Sequence, residues 1–200
     1  MIKIRKANLN DALYFSKLVL ISSDYFNYLF GEKIDKILQN IFIKNSNLFS
    51  FENTYIAEYN NNIAGMILSY DFETKQKQNL QTGILLFKNN YINFIKNLNI
   101  FLKLNKTVGK LNPNEYYISN IAVYPEYRGN GIGKILLEFI EENAIKTNSK
   151  KIILDVEAEN KIAINLYDKL NYKIIEKFTI ALNKNKTLNF FRMGKSLYKE

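Results

Sequence analysis

The residues best placed to do chemistry lie between Ile118 and Lys134. Ile118-Ser119-Asn120-Ile121-Ala122-Val123 runs through Tyr124-Pro125-Glu126-Tyr127 into Arg128-Gly129-Asn130-Gly131-Ile132-Gly133-Lys134. An apolar strand turns here into a helix through three glycines within five positions, in a chain that has eight glycines altogether. A helix entered through glycine presents bare N–H groups and the positive end of its dipole, and both favour an anionic oxygen. Glycine also lets a phosphate approach the backbone without meeting a Cβ. The backbone of Gly129, Asn130, Gly131, Ile132, Gly133 and Lys134 therefore reads as a pyrophosphate cradle.

Spacing decides which cradle. A P-loop ends in Gly-Lys-Ser/Thr, and here Gly133-Lys134 is followed by Ile135. The dinucleotide fingerprint Gly-x-Gly-x-x-Gly has a different spacing from Gly129-Asn130-Gly131-Ile132-Gly133. Arg/Gln-x-x-Gly-x-Gly/Ala after a strand does match, with Arg128, Gly131 and Gly133 in its fixed positions. In this the chain resembles the GNAT superfamily of N-acetyltransferases, whose acetyl-coenzyme A pyrophosphate sits on that loop. A second segment, Asn160-Lys161-Ile162-Ala163-Ile164-Asn165-Leu166-Tyr167-Asp168-Lys169-Leu170-Asn171-Tyr172, resembles the superfamily's later motif. It departs at Asn171-Tyr172, where Gly-Phe is usual. Asn tolerates the left-handed helix-ending conformation, so the cap can survive the change. Asn160 and Tyr167 lie seven residues apart, two helical turns, and share a face.

The resemblance implies an acetyl-coenzyme A-dependent N-acetyltransferase acting on a primary amine by direct attack, with acetyl-CoA as cosubstrate and no metal. Carried over, the pantetheine arm pairs with the backbone of Ile121, Ala122 and Val123, and an N–H near Ile121 polarises the carbonyl. Arg128 braces the loop or meets a phosphate, and Asn160 hydrogen-bonds the arm or the adenine side. Tyr167 is the candidate general acid. A phenol of pKa ~10 can donate to a thiolate whose thiol has pKa ~8.5 without ionising first. For the base, Glu115 sits five residues before Asn120, resembling the glutamate of bacterial ribosomal-protein N-terminal acetyltransferases; Asp71 and Glu73 are weaker choices.

Absent residue types narrow the chemistry. The chain has no cysteine and no histidine, which removes disulfides, a cysteine acyl-enzyme, the Ser-His-Asp mechanism and His or Cys metal sites. Formal charge is +9 and the pI is near 9.4, enough to attract coenzyme A or nucleic acid. The lysines are scattered, however, and the arginines are only Arg5, Arg128 and Arg192, so charge is read as compositional and no nucleic-acid partner is expected. No apolar run is long enough to cross a bilayer, and Met1 to Lys6 lacks a secretory stretch. A soluble cytoplasmic protein with no membrane partner is expected.

These motifs need elements to hold them. Ile2 to Lys6 alternates as a strand, with Asn8 to Asn10 able to cap the helix after it. Residues 11–22 and 33–44 carry helical spacing, predicting Leu13, Leu18, Ile34, Ile37, Leu38 and Ile41 in the core. Residues 50–59 and 62–70 read as a hairpin around Asn60-Asn61-Asn62. Residues 71–114 interrupt this order. Lys75 to Gln81 is polar, and Ile84 to Leu104 repeats apolar residues near every 3.5 positions, predicting one long or two short helices. This insertion is a cover over the acceptor site, a dimer surface or extra core. Beyond it come a central strand at 116–123, a helix at 131–147 with the stripe Ile132, Ile135, Leu136, Phe139 and Ile140, a strand at 151–156 and a helix at 160–170. A closing hairpin, 172–180 and 188–197, turns around Asn183-Lys184-Asn185-Lys186.

The expected fold is α/β (α+β): one GNAT-like domain over residues 1–200, with a mixed, mostly antiparallel sheet and helices on both faces. The helical insertion falls between its third and fourth strands. The acceptor is read as a small-molecule amine, since added helices narrow a groove that an extended peptide needs. A protein or peptide N-terminal acetyltransferase, a non-catalytic coenzyme A sensor and a homodimer stay open.

Overall fold

Seven strands form one sheet in a computed structural model that describes residues 1–23, 25–183 and 185–198. The strands are β1 (Ile2–Lys6), β2 (Thr54–Tyr59), β3 (Asn62–Asp71), β4 (Glu115–Val123), β5 (Lys151–Glu157), β6 (Lys173–Ala181) and β7 (Thr187–Ser196). Their order is β1-β2-β3-β4-β5-β7-β6, with β4 and β5 parallel and every other pair antiparallel. The mixed, mostly antiparallel sheet is the one expected. A parallel neighbour needs a crossover, and α7 (Ile132–Lys146) supplies it between β4 and β5.

Helices α1 (Ala12–Ser22), α2 (Tyr25–Phe30) and α3 (Ile34–Phe42) cover one face of the sheet through Phe15, Leu18, Leu29, Ile37, Leu38 and Phe42, packed on Ile56, Met66 and Leu68. The other face is covered by α7 and α8 (Lys161–Lys169), whose Leu136, Leu137, Ile140 and Tyr167 meet Ile67, Ile118, Ile152 and Leu154. Within the expected α7 stripe, Ile132, Leu136 and Ile140 are buried, while Ile135 and Phe139 are half-buried.

Four local readings are corrected. Leu13 is 46% exposed rather than core, because α1 turns Phe15, Leu18 and Val19 inward. Residues 50–53 are not strand: the Ser50 hydroxyl accepts from the Glu52 N–H and caps a 3-10 turn, so β2 starts at Thr54. The six residues of α2 form a separate helix that the periodicity did not predict. The insertion holds three helices, α4 (Phe72–Asn89), α5 (Tyr91–Lys96) and α6 (Leu98–Thr107), and its polar stretch Lys75 to Gln81 is helical. Asp71 starts α4 by accepting from the Thr74 N–H at 2.7 Å. In the β6–β7 turn, Asn183 Oδ1 accepts from the N–H groups of Asn185 and Lys186; Lys184 lies outside the described residues.

Candidate active site

The site begins with a break in the sheet. β4 and β5 pair only from Glu115↔Lys151 to Ile118↔Leu154. On the other side of β4, β3 pairs Ser69 with Ile118 and Leu68 with Asn120, so Ser119 is an extra, bulged residue. A bulge bends its strand and ends regular pairing. Beyond it Ser119 to Val123 and Asp155 to Glu157 have no ladder partner in each other, leaving an opening between two parallel strands. Backbone groups turned into such an opening need partners.

The glycine loop lies at the C-terminal end of that opening. Gly129 and Gly131 hold φ of +82° and +75°, the left-handed region that disfavours any side chain, and a Cβ on either would meet nothing within 4 Å. Gly131 is the N-cap of α7 and offers no side-chain cap. The N–H groups of the first α7 turn are therefore available to a ligand. Arg128 Nε donates to the Val123 carbonyl at 3.2 Å, and Asn130 Nδ2 donates to the Tyr127 carbonyl at 3.0 Å. Both side chains shape the loop. Gly133 acts differently, through packing. A Cβ there would lie 3.1 Å from Leu166 Cδ2, so its bareness lets α7 approach α8.

On α8, Asn160 is the N-cap, its Oδ1 accepting from the Ala163 N–H at 3.1 Å. Its Nδ2 makes no bond to a described residue. Asn171 adopts φ +68° and the Tyr172 N–H returns to the Tyr167 carbonyl at 3.0 Å, so the left-handed cap expected of Asn171 forms. Tyr167 is 5% exposed and its hydroxyl makes no hydrogen bond among the described residues. Burial pushes its phenol well above the usual tyrosine range.

One continuous cavity of about 1400 Å³ joins these parts. Ile121, Ala122, Val123, Arg128, Gly129, Gly131, Ile132, Gly133, Lys134, Asn160 and Tyr167 all line it. Asn130 does not, and acts on the loop from outside. Neither does Glu115. It stands at the paired end of β4, six residues and roughly 20 Å of strand from Ile121, where its carboxylate accepts from the Asn112 N–H at 2.8 Å. Glu115 thus stands away from the cavity that holds the other motif residues. Asp71 caps α4 and Glu73 pairs with Lys77 on its surface, and neither lines this cavity.

Several lining groups were missed. Asp155 on β5 is buried and accepts from Arg192 Nε at 2.8 Å, the Gly109 N–H at 2.7 Å and the Tyr117 hydroxyl at 3.2 Å. Arg192 also donates to Glu176 and to the Thr107 carbonyl. This ion pair therefore fastens the end of the insertion to the sheet. Its signal was a lone charge in the apolar run Ile152-Ile153-Leu154-Asp155-Val156. Asn120, 5% exposed, donates to the Ser22 hydroxyl at 2.8 Å and ties the end of α1 to the bulge. Burial pushes the Tyr25 phenol to about 12 and also raises those of Tyr70 and Tyr117 well above the ordinary value. Charge across the cavity is segregated. Arg128, Lys134 and Lys169 line the α7–α8 end, Asp155, Glu157 and Glu159 the β5 edge, and the insertion supplies the far wall.

No group of His, Cys, Asp or Glu suited to a metal ion exists among the described residues, and no helix among them is long and apolar enough to cross a membrane. An acetyltransferase of Pectobacterium atrosepticum is 34% identical over 66 residues, 33% of this chain and 45% of its own length. N-alpha-acetyltransferase 30 of Saccharomyces cerevisiae is 38% identical over 56 residues, 28% of this chain and 32% of its own. The chain thus matches less than half the length of these curated relatives. Among solved structures, an N-acetyltransferase from Staphylococcus aureus superposes with a TM-score of 0.71 at 21% identity, covering 96% of this chain and all of that one. A putative acetyltransferase from Salmonella typhimurium, solved with its cofactor acetyl-CoA, gives 0.62 at 12% identity, covering 100% and 96%. The sequence profile of the acetyltransferase (GNAT) family matches residues 16–172, a span that contains the bulge, the glycine loop and Tyr167, and the chain belongs to that family.

Proposed function

We propose that this chain is an acetyl-coenzyme A-dependent N-acetyltransferase that acetylates a primary amine by direct attack. One observation carries the reading: the strand opening beyond Ile118 and Leu154, the bare glycine loop and Tyr167 share one cavity. The residues fit the cosubstrate. Gly129 and Gly131 leave open space where a Cβ would otherwise project, next to uncapped N–H groups at the positive end of α7. Arg128 and Lys134 add positive charge beside them.

Bound acetyl-coenzyme A supplies a thioester whose acetyl carbon an amine can attack with release of the thiol. Around it, the backbone of Ile121 to Val123 offers groups that β5 leaves unpaired, fixed before binding and costing little reorganisation. Tyr167 holds its proton on Oη at neutral pH, because burial opposes the phenolate. A protonated hydroxyl, unbonded among the described residues and carried by a residue that lines the cavity, is suited to donate toward a departing thiolate. Asn160 keeps Nδ2 for an arm running past the start of α8. Glu115, Asp71 and Glu73 do not line the cavity, so the amine proton is assigned to water or to a carboxylate of the β5 edge, Glu157 or Glu159.

The test combines thermal stabilisation with thiol release. Acetyl-coenzyme A is expected to raise the melting temperature, and an amine panel to release free thiol. No stabilisation would remove the reading, and stabilisation without release by any amine would leave a coenzyme A sensor instead.

A further inference from the structure

The acceptor half of the cavity has an unusual wall. Six phenylalanines form a continuous chain of ring contacts along it. Phe49 meets Phe26 edge-on at 6.0 Å, Phe26 stacks on Phe30 at 6.0 Å, and Phe30 meets Phe101 at 5.0 Å. Phe101 then stacks on Phe94 at 4.9 Å, and Phe94 meets Phe87 edge-on at 5.6 Å. All six line the cavity. They come from α2, the loop before β2, and all three helices of the insertion. Half of the aromatic wall, Phe87, Phe94 and Phe101, thus exists only because residues 71–114 fold over the site.

Among the described residues, charge is missing from this wall. Among the described residues between 21 and 109 that line the cavity, none is Asp, Glu, Lys or Arg. Asp155 at its inner edge is saturated by Arg192, Tyr117 and Gly109. Meanwhile apolar side chains stand open to the chamber: Phe87 is 42% exposed and Leu102 51%. Exposed apolar surface lining a cavity is stabilised when an apolar body covers it. A polyamine or an aminoglycoside would instead bring several charges to a wall whose described residues carry none, with only Glu157 and Glu159 on the β5 edge to answer them, which is unfavourable.

The geometry points to an acceptor that is a primary amine on a single aromatic body, an arylalkylamine, with its ring against the Phe87–Phe94–Phe101 wall and its amine toward Ile121. This rests on the N-acetyltransferase reading and narrows its acceptor. Transfer would form an amide N–C bond and break the thioester C–S bond, one proton passing in net from nitrogen to sulfur.

The chain has no tryptophan, so the indole emission of tryptamine can be followed without background from protein indole. Titrated into the protein with coenzyme A present, tryptamine emission is expected to shift to the blue and saturate. Phenethylamine is expected to compete, and spermidine and kanamycin to fail. The open positions Phe87 and Leu102 can be cut back with little effect on the packed core. The double variant Phe87→Ala/Leu102→Ala is expected to weaken tryptamine binding by roughly tenfold, the scale of one lost ring contact, with stabilisation by coenzyme A unchanged. A shift that never saturates, displacement by spermidine or kanamycin, unchanged binding in the double variant, or faster thiol release with a peptide N-terminus than with tryptamine would each overturn the inference. Absence of coenzyme A stabilisation with tryptamine binding intact would instead overturn the reading beneath it.

Discussion

Ile118 and Leu154 are the last paired residues of the two parallel strands, and the next residue of β4, Ser119, is the bulge that β3 leaves without a partner. Bulge and opening are one feature. The extra residue bends β4 just where the parallel ladder stops, and the backbone freed on both strands becomes the floor of the cavity. Asn120, the glycine loop and the Asp155–Arg192 pair hold this opening in shape.

Asn120 fastens the opening from the α1 side through Ser22 and Ser23. Asn120→Ala removes a buried donor and leaves two hydroxyls short of it, at a cost of about 1–3 kcal/mol. Because the end of α1 borders the acceptor chamber, KM for the amine is expected to rise more than KM for acetyl-coenzyme A. Equal changes in both would mean that Asn120 is only a structural tie.

Gly131 and Gly133 are expected to respond differently to alanine. Gly131→Ala forces a side chain into left-handed backbone, costing ~1–2 kcal/mol. Relaxing that strain would turn the first α7 N–H groups away, so coenzyme A affinity is expected to fall by an order of magnitude or more, at least ~1.4 kcal/mol. Gly133→Ala gains helix propensity of roughly 1 kcal/mol and meets only the flexible tip of Leu166 at 3.1 Å. Its stability is expected to stay within about 0.5 kcal/mol of the parent. Calorimetric titration and denaturant melts check the pair.

The Asp155–Arg192 pair fastens the insertion through Gly109 and Thr107. Arg192→Met leaves the carboxylate of Asp155, whose side chain is 1% exposed, without its cation. A loss of about 3–5 kcal/mol in urea melts is expected. The double variant Asp155→Leu/Arg192→Met should recover much of it, since the stranded charge is gone.

Much of this was legible in the residues. Helix α7 showed its stripe, and the left-handed cap at Asn171 followed from the tolerance of Asn for that backbone. Helix α2 was not legible, because Tyr25-Phe26-Asn27-Tyr28-Leu29-Phe30 is aromatic nearly all round and too short to show a period. The first half of α4 was hidden for the opposite reason: Lys75 to Gln81 lies mostly at the surface and needs no stripe. That Glu115 lies away from the cavity was not legible, because nearness in sequence to Asn120 says nothing about which end of a strand is open. The bulge at Ser119 leaves no residue signature at all; it is a property of pairing with β3.

Burial raises the phenols of Tyr70, Tyr117 and Tyr167 above the ordinary value. Below pH ~10 both folded and unfolded chains keep these protons, so they add no pH dependence. Above it the unfolded chain ionises first, and stability is expected to fall as pH rises from ~10. Denaturant melts at rising pH should show this, and Tyr167→Phe should flatten the slope by up to ~1.4 kcal/mol per pH unit.

The most direct measurement is single-turnover thiol release by Tyr167→Phe, alongside its affinity for coenzyme A. A phenol acting as general acid contributes ~10²- to 10⁴-fold, so release is expected to slow by that factor while coenzyme A binds as tightly as to the parent. Undiminished release, or a loss of coenzyme A binding that accounts for the slowing, would contradict the role given to Tyr167.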